Sequence, residues 1–252
     1  MIEPLEKALV YHNVKCEIYP NGLVRTTVAS RPIFKSEYWE LRSVDEPEEK
    51  IPKPKNMDND VRSDNVRRAK AKIFDIAMLN NFTHFVTWTL DNEKIDRYSS
   101  EEVSRKLKQF LNNTKKRHGL MYLIIPEYHK DGAIHMHGLI SGDVVLVDSG
   151  HKTKDGKRIY NMPQWLLGYS TAIELDEQKE RVSRYITKYV TKDFRKIFGS
   201  FYYAGGTGLI RKPPVELYDT NYFEVNAKEY GNKKANIGFK YITEVVNDDI
   251  EG

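Results

Sequence analysis

Apolar and polar residues alternate between positions 10 and 40, as VKCEIYP and then LVRTTVA, on either side of Pro20–Asn21–Gly22. Alternation interrupted by a turn triplet predicts a β-hairpin. From Leu41 to Asp60 the pattern disappears into charge and proline (SVDEPEEKIPKPKNMDND), with few anchors for a core, and the segment reads as a linker. Helical spacing then sets in: Val66, Ile73, Ala77 and Met78 predict a helix from about Val61 to Asn80. FTHFVTWTL at 82–90, rich in aromatic and β-branched residues, predicts a strand.

Ser99 or Ser100 is placed to cap the next helix, with Glu102 closing a capping box if Ser99 is the cap. Val103, Leu107, Phe110 and Leu111 form its apolar stripe, and Gly119 lies just past its end. Two strands, at 121–129 and 133–140, flank Lys130–Asp131–Gly132, which fits a three-residue hairpin loop with glycine in the left-handed position. Residues 141–160 are polar and read as a surface loop, GYSTAIEL at 168–175 as a strand, and about Glu177 to Phe198 as a basic helix. AGGTG at 204–208 reads as a turn, and YFEVNA and FKYITEV as short β pieces of the tail. Three segments result: an N-terminal β segment at 1–40 of unassigned role, a linker at 41–60, and a main domain at 61–252.

Composition narrows the class. The chain has 252 residues and a net charge of +4, which permits an anionic partner without requiring one. The single cysteine, Cys16, excludes an internal disulfide framework and a cysteine-based zinc cluster, and reads as a small buried residue. No apolar run approaches the ~20 residues that span a bilayer. The N-terminus is not that of a secretory signal, so a soluble intracellular protein without a membrane partner is expected. There is no GxxxxGK[ST] phosphate loop, so no ATP-driven helicase of its own is expected.

The chemistry lies in two places. His135 and His137 flank Met136 in a strand, so both imidazoles share one face. If the hairpin loop is read correctly, Glu127 lies directly across from His135 on that face, and a one-residue slip would turn it away. Two imidazoles and a carboxylate suit Mn²⁺ or Mg²⁺, although zinc would bind the same set. The second place is the basic helix, where Tyr185 and Tyr189 are four apart and each is followed three residues later by a lysine, Lys188 and Lys192. Arg181, Arg184, Arg195 and Lys196 add charge suited to DNA phosphates. A phenol of pKa ~10 needs help to attack phosphorus, and a nearby cation steadies the charge that builds. Tyr169, Trp165, Tyr202 and Tyr203 could stack bases, with core packing the expected role for them.

His135–Met136–His137 resembles the His–hydrophobic–His motif of HUH endonucleases, and Tyr185–Ile186–Thr187–Lys188–Tyr189–Val190–Thr191–Lys192 resembles the two-tyrosine helix of phage and plasmid replication initiators. Phe85–Val86–Thr87–Trp88–Thr89 is similar to the family's first motif, and Glu127 is placed like its third metal ligand. The ordered set covers residues 82–192. The resemblance implies an α+β fold, a central antiparallel sheet flanked by helices akin to an RNA-recognition fold. It also implies metal-dependent nicking of single-stranded DNA at an origin, such as a hairpin, through a 5′-phosphotyrosine intermediate that frees a 3′-hydroxyl primer. A bacterial cytoplasm and recruited host helicase and polymerase follow from the same resemblance. Two other readings stay open: a non-catalytic single-strand-binding module, and a transposase using the same metal and tyrosine chemistry. An unrelated metal hydrolase, which would form no protein–DNA adduct, is the remaining reading.

Overall fold

The computed structural model describes residues 12–33, 63–176, 178–190, 197–218, 228–232 and 237–245. The N-terminal alternation forms β1 (His12–Ile18) and β2 (Leu23–Ile33), paired antiparallel. Gly22 takes a φ of 78° at the turn between them and donates to the Tyr19 carbonyl at 3.0 Å. Cys16 is buried there, as expected. The charged linker at 41–60 lies outside the described residues.

The next stretch runs α1 (Ser63–Leu79), β3 (His84–Leu90), α2 (Ser100–His118), β4 (Met121–Tyr128) and β5 (Ile134–Ser141). It continues with β6 (Val147–Lys152), β7 (Arg158–Asn161), β8 (Gly168–Glu174), α3 (Lys179–Ile186), a 3₁₀ turn (Thr187–Val190) and β9 (Tyr203–Gly205). Its strands form one antiparallel sheet of seven, in the order β6-β7-β8-β3-β5-β4-β9. The α+β class with a central antiparallel sheet and flanking helices is thus borne out. Among the described residues no helix is long and apolar enough to cross a membrane.

Local signals account for these elements. Ser99 caps α2, its hydroxyl accepting from the Glu102 amide at 3.3 Å, and Gly119 ends the helix with a φ of 60°. The β4–β5 hairpin closes as read: the His129 amide donates to the Ala133 carbonyl at 2.7 Å, and Gly132 takes a φ of 85°. Asp131 holds the loop by accepting from the Ala133 amide at 3.0 Å. Pro126 sits within β4 without breaking a ladder, because β9 pairs with β4 only at residues 122–124.

Alternation sorts the sheet into two faces. Val86, Trp88, Ile124, Met136, Ile140 and Ala172 point one way and bury Val103, Leu107 and Leu111 of α2. Trp165 joins this core, its ring stacked on Trp88 with centroids 4.9 Å apart. The opposite face carries Leu123, Ile125 and Leu139 against α1 and α3, with Ile73, Ile76 and Ile186 buried between them.

Three expectations change. Residues 141–160 are more than a surface loop, since β6 and β7 extend the sheet there. Their side chains are mostly exposed, so burial leaves no periodic signature in the sequence. The basic helix was read as continuous over 177–198, but α-helical geometry ends at Ile186 and tightens into the 3₁₀ turn. Thr187 donates its hydroxyl to the Arg184 carbonyl at 2.7 Å, a local bond that competes with regular helix, and the residues on either side of it include β-branched Ile186 and Val190. Finally, the main unit comprises 58–212, whereas sequence alone suggested 61–252. After it come β10 (Val215–Tyr218), β11 (Lys228–Asn232) and β12 (Ile237–Val245), and β10 and β12 pair with β1 and β2. FKYITEV is therefore strand, as read, in a five-stranded sheet of order β10-β1-β2-β12-β11, while YFEVNA lies outside the described residues.

Gly138 shows how tightly the hairpin packs. A Cβ there would lie 2.3 Å from the Ile124 Cδ1 and 2.7 Å from the Leu123 carbonyl oxygen. Backbone cannot yield as a side-chain tip can, so Gly138→Ala is expected to cost about 1–3 kcal/mol. Thermal denaturation of that variant, with circular dichroism of the folded state, measures the loss. An unchanged melting temperature would mean that the β4–β5 pairing yields without cost.

Candidate functional site

Strand register builds the site in three rows across one face of the seven-stranded sheet. The first row is Tyr169–Thr89–His135–Glu127, the second Thr171–Thr87–His137–Ile125, and the third Ile173–Phe85–Leu139–Leu123. The third row is apolar and lies among the residues packed with α1 and α3. The second and first rows become progressively polar and open, with Tyr169 and Thr171 exposed. Both histidines and Glu127 therefore share one face, and Glu127 stands opposite His135 in the register expected from the loop.

The side chains are arranged as follows. Glu127 is buried, and His137 Nε2 lies 3.4 Å from its Oε2. His137 Nδ1 lies 3.2 Å from the Thr87 hydroxyl, which fixes the ring from behind. The His135 ring stacks on His129, with centroids 4.8 Å apart. Burial, followed by the charge of His129, holds His135 below the usual imidazole range, which favours the neutral form that can ligate a metal. Among the described residues no three His, Cys, Asp or Glu side chains converge on a common point as a metal cage does. The donor types and the shared face nonetheless fit a divalent cation: Glu127 and His137 are already within 3.4 Å, and His135 sits in register beside them.

The tyrosines close over this group. Tyr189 lies flat on His137, centroids 3.9 Å apart and planes 19° from parallel, and donates its hydroxyl to Tyr185 at 2.8 Å. Burial first, then that hydrogen bond and the charge of Glu127, hold the Tyr189 phenol well above its ordinary range, so it remains a donor. Tyr185 is 45% exposed, and Lys188 Nζ lies 5.5 Å from its ring centre. Phe85 underlies all three rings, its centroid 5.6 Å from Tyr185, 6.1 Å from Tyr189 and 6.2 Å from His137.

Other sequence candidates are distributed unevenly. Arg181 pairs with Asp176, and Arg184 with Glu180 at 2.6 Å, both on the exposed surface. Lys192, Arg195 and Lys196 lie outside the described residues. Trp165 is core, as expected, at 3% exposure, whereas Tyr169 is 71% exposed and does not pack in a core. Tyr202 and Tyr203 are half-buried and line a cleft with Arg68, Lys72 and Arg211.

Three contributors were not singled out in the sequence. His129 could have been, because it sits two residues past Glu127 on the same face of β4. Thr87 and Phe85 could not, since their roles depend on a three-strand register that local pattern does not carry.

Residues 83–194 match the model of a family of replication-associated proteins, the ORF2 family. That span begins just before β3 and holds Glu127, both strand histidines, both tyrosines, Lys188 and Lys192. No curated protein and no solved structure matches the chain.

The Thr87–His137 contact makes a separate prediction. Thr87→Val keeps the shape of the side chain and removes the hydroxyl, so His137 loses the group that selects its tautomer. In ¹⁵N spectra of the metal-free protein, the two His137 ring nitrogens should move toward each other as tautomers exchange. Unaltered shifts would show that the Glu127 contact alone orients the ring.

Proposed function

We propose that this chain, similar to replication-associated proteins across the span that carries its site, initiates rolling-circle replication by nicking and rejoining single-stranded DNA. One observation carries the reading: the strand rows set Glu127, His135 and His137 on one face, and two tyrosines at the end of α3 and in the turn after it meet that face. Sheet faces that serve packing alone have no use for this combination of carboxylate, imidazoles and phenols.

His135, His137 and Glu127 would hold a Mn²⁺ or Mg²⁺ ion, which when bound withdraws charge from a phosphate oxygen. The chain supplies the remaining chemistry. Tyr185 is the first nucleophile, because it is the more exposed phenol and its oxygen accepts the hydrogen bond from Tyr189. As Tyr185 loses its proton, the Tyr189 hydroxyl and the Lys188 ammonium offset the developing negative charge. The Tyr185 oxygen bonds to phosphorus, the bond from phosphorus to the 3′ oxygen breaks, and that oxygen leaves as a hydroxyl after taking a proton. A 5′-phosphotyrosine remains, with a 3′ end that a host polymerase can extend once a host helicase opens the duplex. Tyr189, adjacent to Tyr185, can attack a second phosphodiester while Tyr185 is occupied.

A second reading has its own support. The His135–His129 stack and the absence of a converged ligand triad among the described residues suit a single-strand-binding module without catalysis. A tyrosine transposase has no such observation in its favour.

The test is an end-labelled set of single-stranded oligonucleotides tiled over the source replicon, incubated with Mn²⁺ and run on a denaturing gel. Wild type should give an adduct that survives SDS and disappears with EDTA. Tyr185→Phe should remove the first adduct, Tyr189→Phe should retain it, and the double variant should form none. His135→Ala/His137→Ala should abolish cleavage while the fold persists. Binding without cleavage or joining on any oligonucleotide would favour the binding module.

A further inference from the structure

Tyr169 is 71% exposed, although it lies within a regular strand of the main sheet. It cannot turn inward without a register slip, because its neighbour Ser170 is engaged on the other face and Ala172 is buried in the core. The backbone beneath it is held firmly. The Asp91 amide donates to the Leu167 carbonyl at 2.9 Å, and Trp165 Nε1 donates to the Thr89 carbonyl at 3.2 Å. Gly168 passes so close to β3 that a Cβ there would lie 2.2 Å from the Thr89 carbonyl oxygen. A large ring is thus fixed at the surface, on a rigid strand, with nothing of this sheet folded over it.

We propose that Tyr169 is a stacking platform for a nucleobase of the single strand whose phosphate is presented to Tyr185. This rests on the function proposed above. Tyr169 stands in the same cross-strand row as His135 and Glu127, with only Thr89 between Tyr169 and His135. Two strand spacings separate Tyr169 from His135, about 10 Å, so a base a short way along the strand from the reacting phosphate falls over its ring. The side chains around it, Thr89 and Thr171, are small and leave the ring face clear. Every base has a π face, so such a platform fixes the path of the strand without reading its sequence.

Binding is measured in EDTA, where no cleavage occurs, by fluorescence anisotropy of labelled single-stranded oligonucleotides. Wild type, Tyr169→Ala and Tyr169→Phe are compared, after circular dichroism and melting curves establish that each is folded. Tyr169→Ala should weaken binding about tenfold, and Tyr169→Phe should leave it unchanged, because the ring and not the hydroxyl makes the contact. An abasic site moved stepwise along the oligonucleotide should weaken wild type at one position and cost Tyr169→Ala nothing further there. Equal binding by the alanine variant overturns the platform, as does a loss in Tyr169→Phe as large as in Tyr169→Ala. Wild type that does not bind single strands also overturns it. The two ideas fail separately. Position-specific coupling without any adduct in Mn²⁺ removes the nicking reaction and keeps the platform. An adduct with no effect of Tyr169→Ala does the reverse.

Discussion

The pairing of β4 with β5 decides which way every side chain of the site points, and a three-residue loop decides that pairing. Side chains alternate along a strand, so a slip of one residue would send Glu127 into the α2 core and turn Met136 outward. Two features oppose such a slip. Asp131 and Gly132 hold the loop in a form that admits no extra residue, and Gly138 accepts a close approach by Ile124 and Leu123 that any other residue would obstruct. The chemistry of the face therefore depends on apolar fit on the far side of the same strands, where Trp88, Met136 and Ile124 are fully buried.

The face that carries the site answers two opposed demands by dividing its length. Its apolar row, with Phe85, Leu139 and Leu123, is covered by helices and contributes to the core. The rows beyond it are polar and open, which costs buried area and leaves imidazoles and a carboxylate where a ligand can reach them. Phe85 lies at the boundary and touches both tyrosines and His137. The tyrosines are thus positioned by the same packing that anchors α3, and their mutual hydrogen bond makes them unequal. One phenol is a half-buried donor and the other an exposed acceptor.

Sequence spacing was most informative where a local rule acts alone. The cap at Ser99, the loop at 130–132 and the shared face of His135, His137 and Glu127 each follow from a few adjacent residues. It was least informative where tertiary context decides. β6 and β7 are mostly exposed, so burial does not mark them as strands. Tyr169 and Trp165 are aromatic residues four positions apart, yet one is exposed and the other lies in the core, a difference set by strand register and by the stack on Trp88. The end of α3 at Ile186 reflects competition from the Thr187 hydroxyl, which helical periodicity does not register.

The five-stranded sheet imposes a different kind of constraint, because it is assembled from both ends of the chain. β1 pairs with β10 and β2 with β12, so its ladders join residues separated by the whole of 58–212. Closing a loop of that length costs entropy, but the cost grows only with the logarithm of the length. It falls further once the intervening chain is already folded and its ends are held. The seven-stranded sheet, whose strands pair through shorter separations and whose core is continuous, can form without the terminal strands. The terminal sheet cannot pair its two halves until 58–212 has been made. A segment inserted in this way carries its own core, and so the chemistry of Glu127, His137, Tyr185 and Tyr189 depends on contacts made entirely within 58–212.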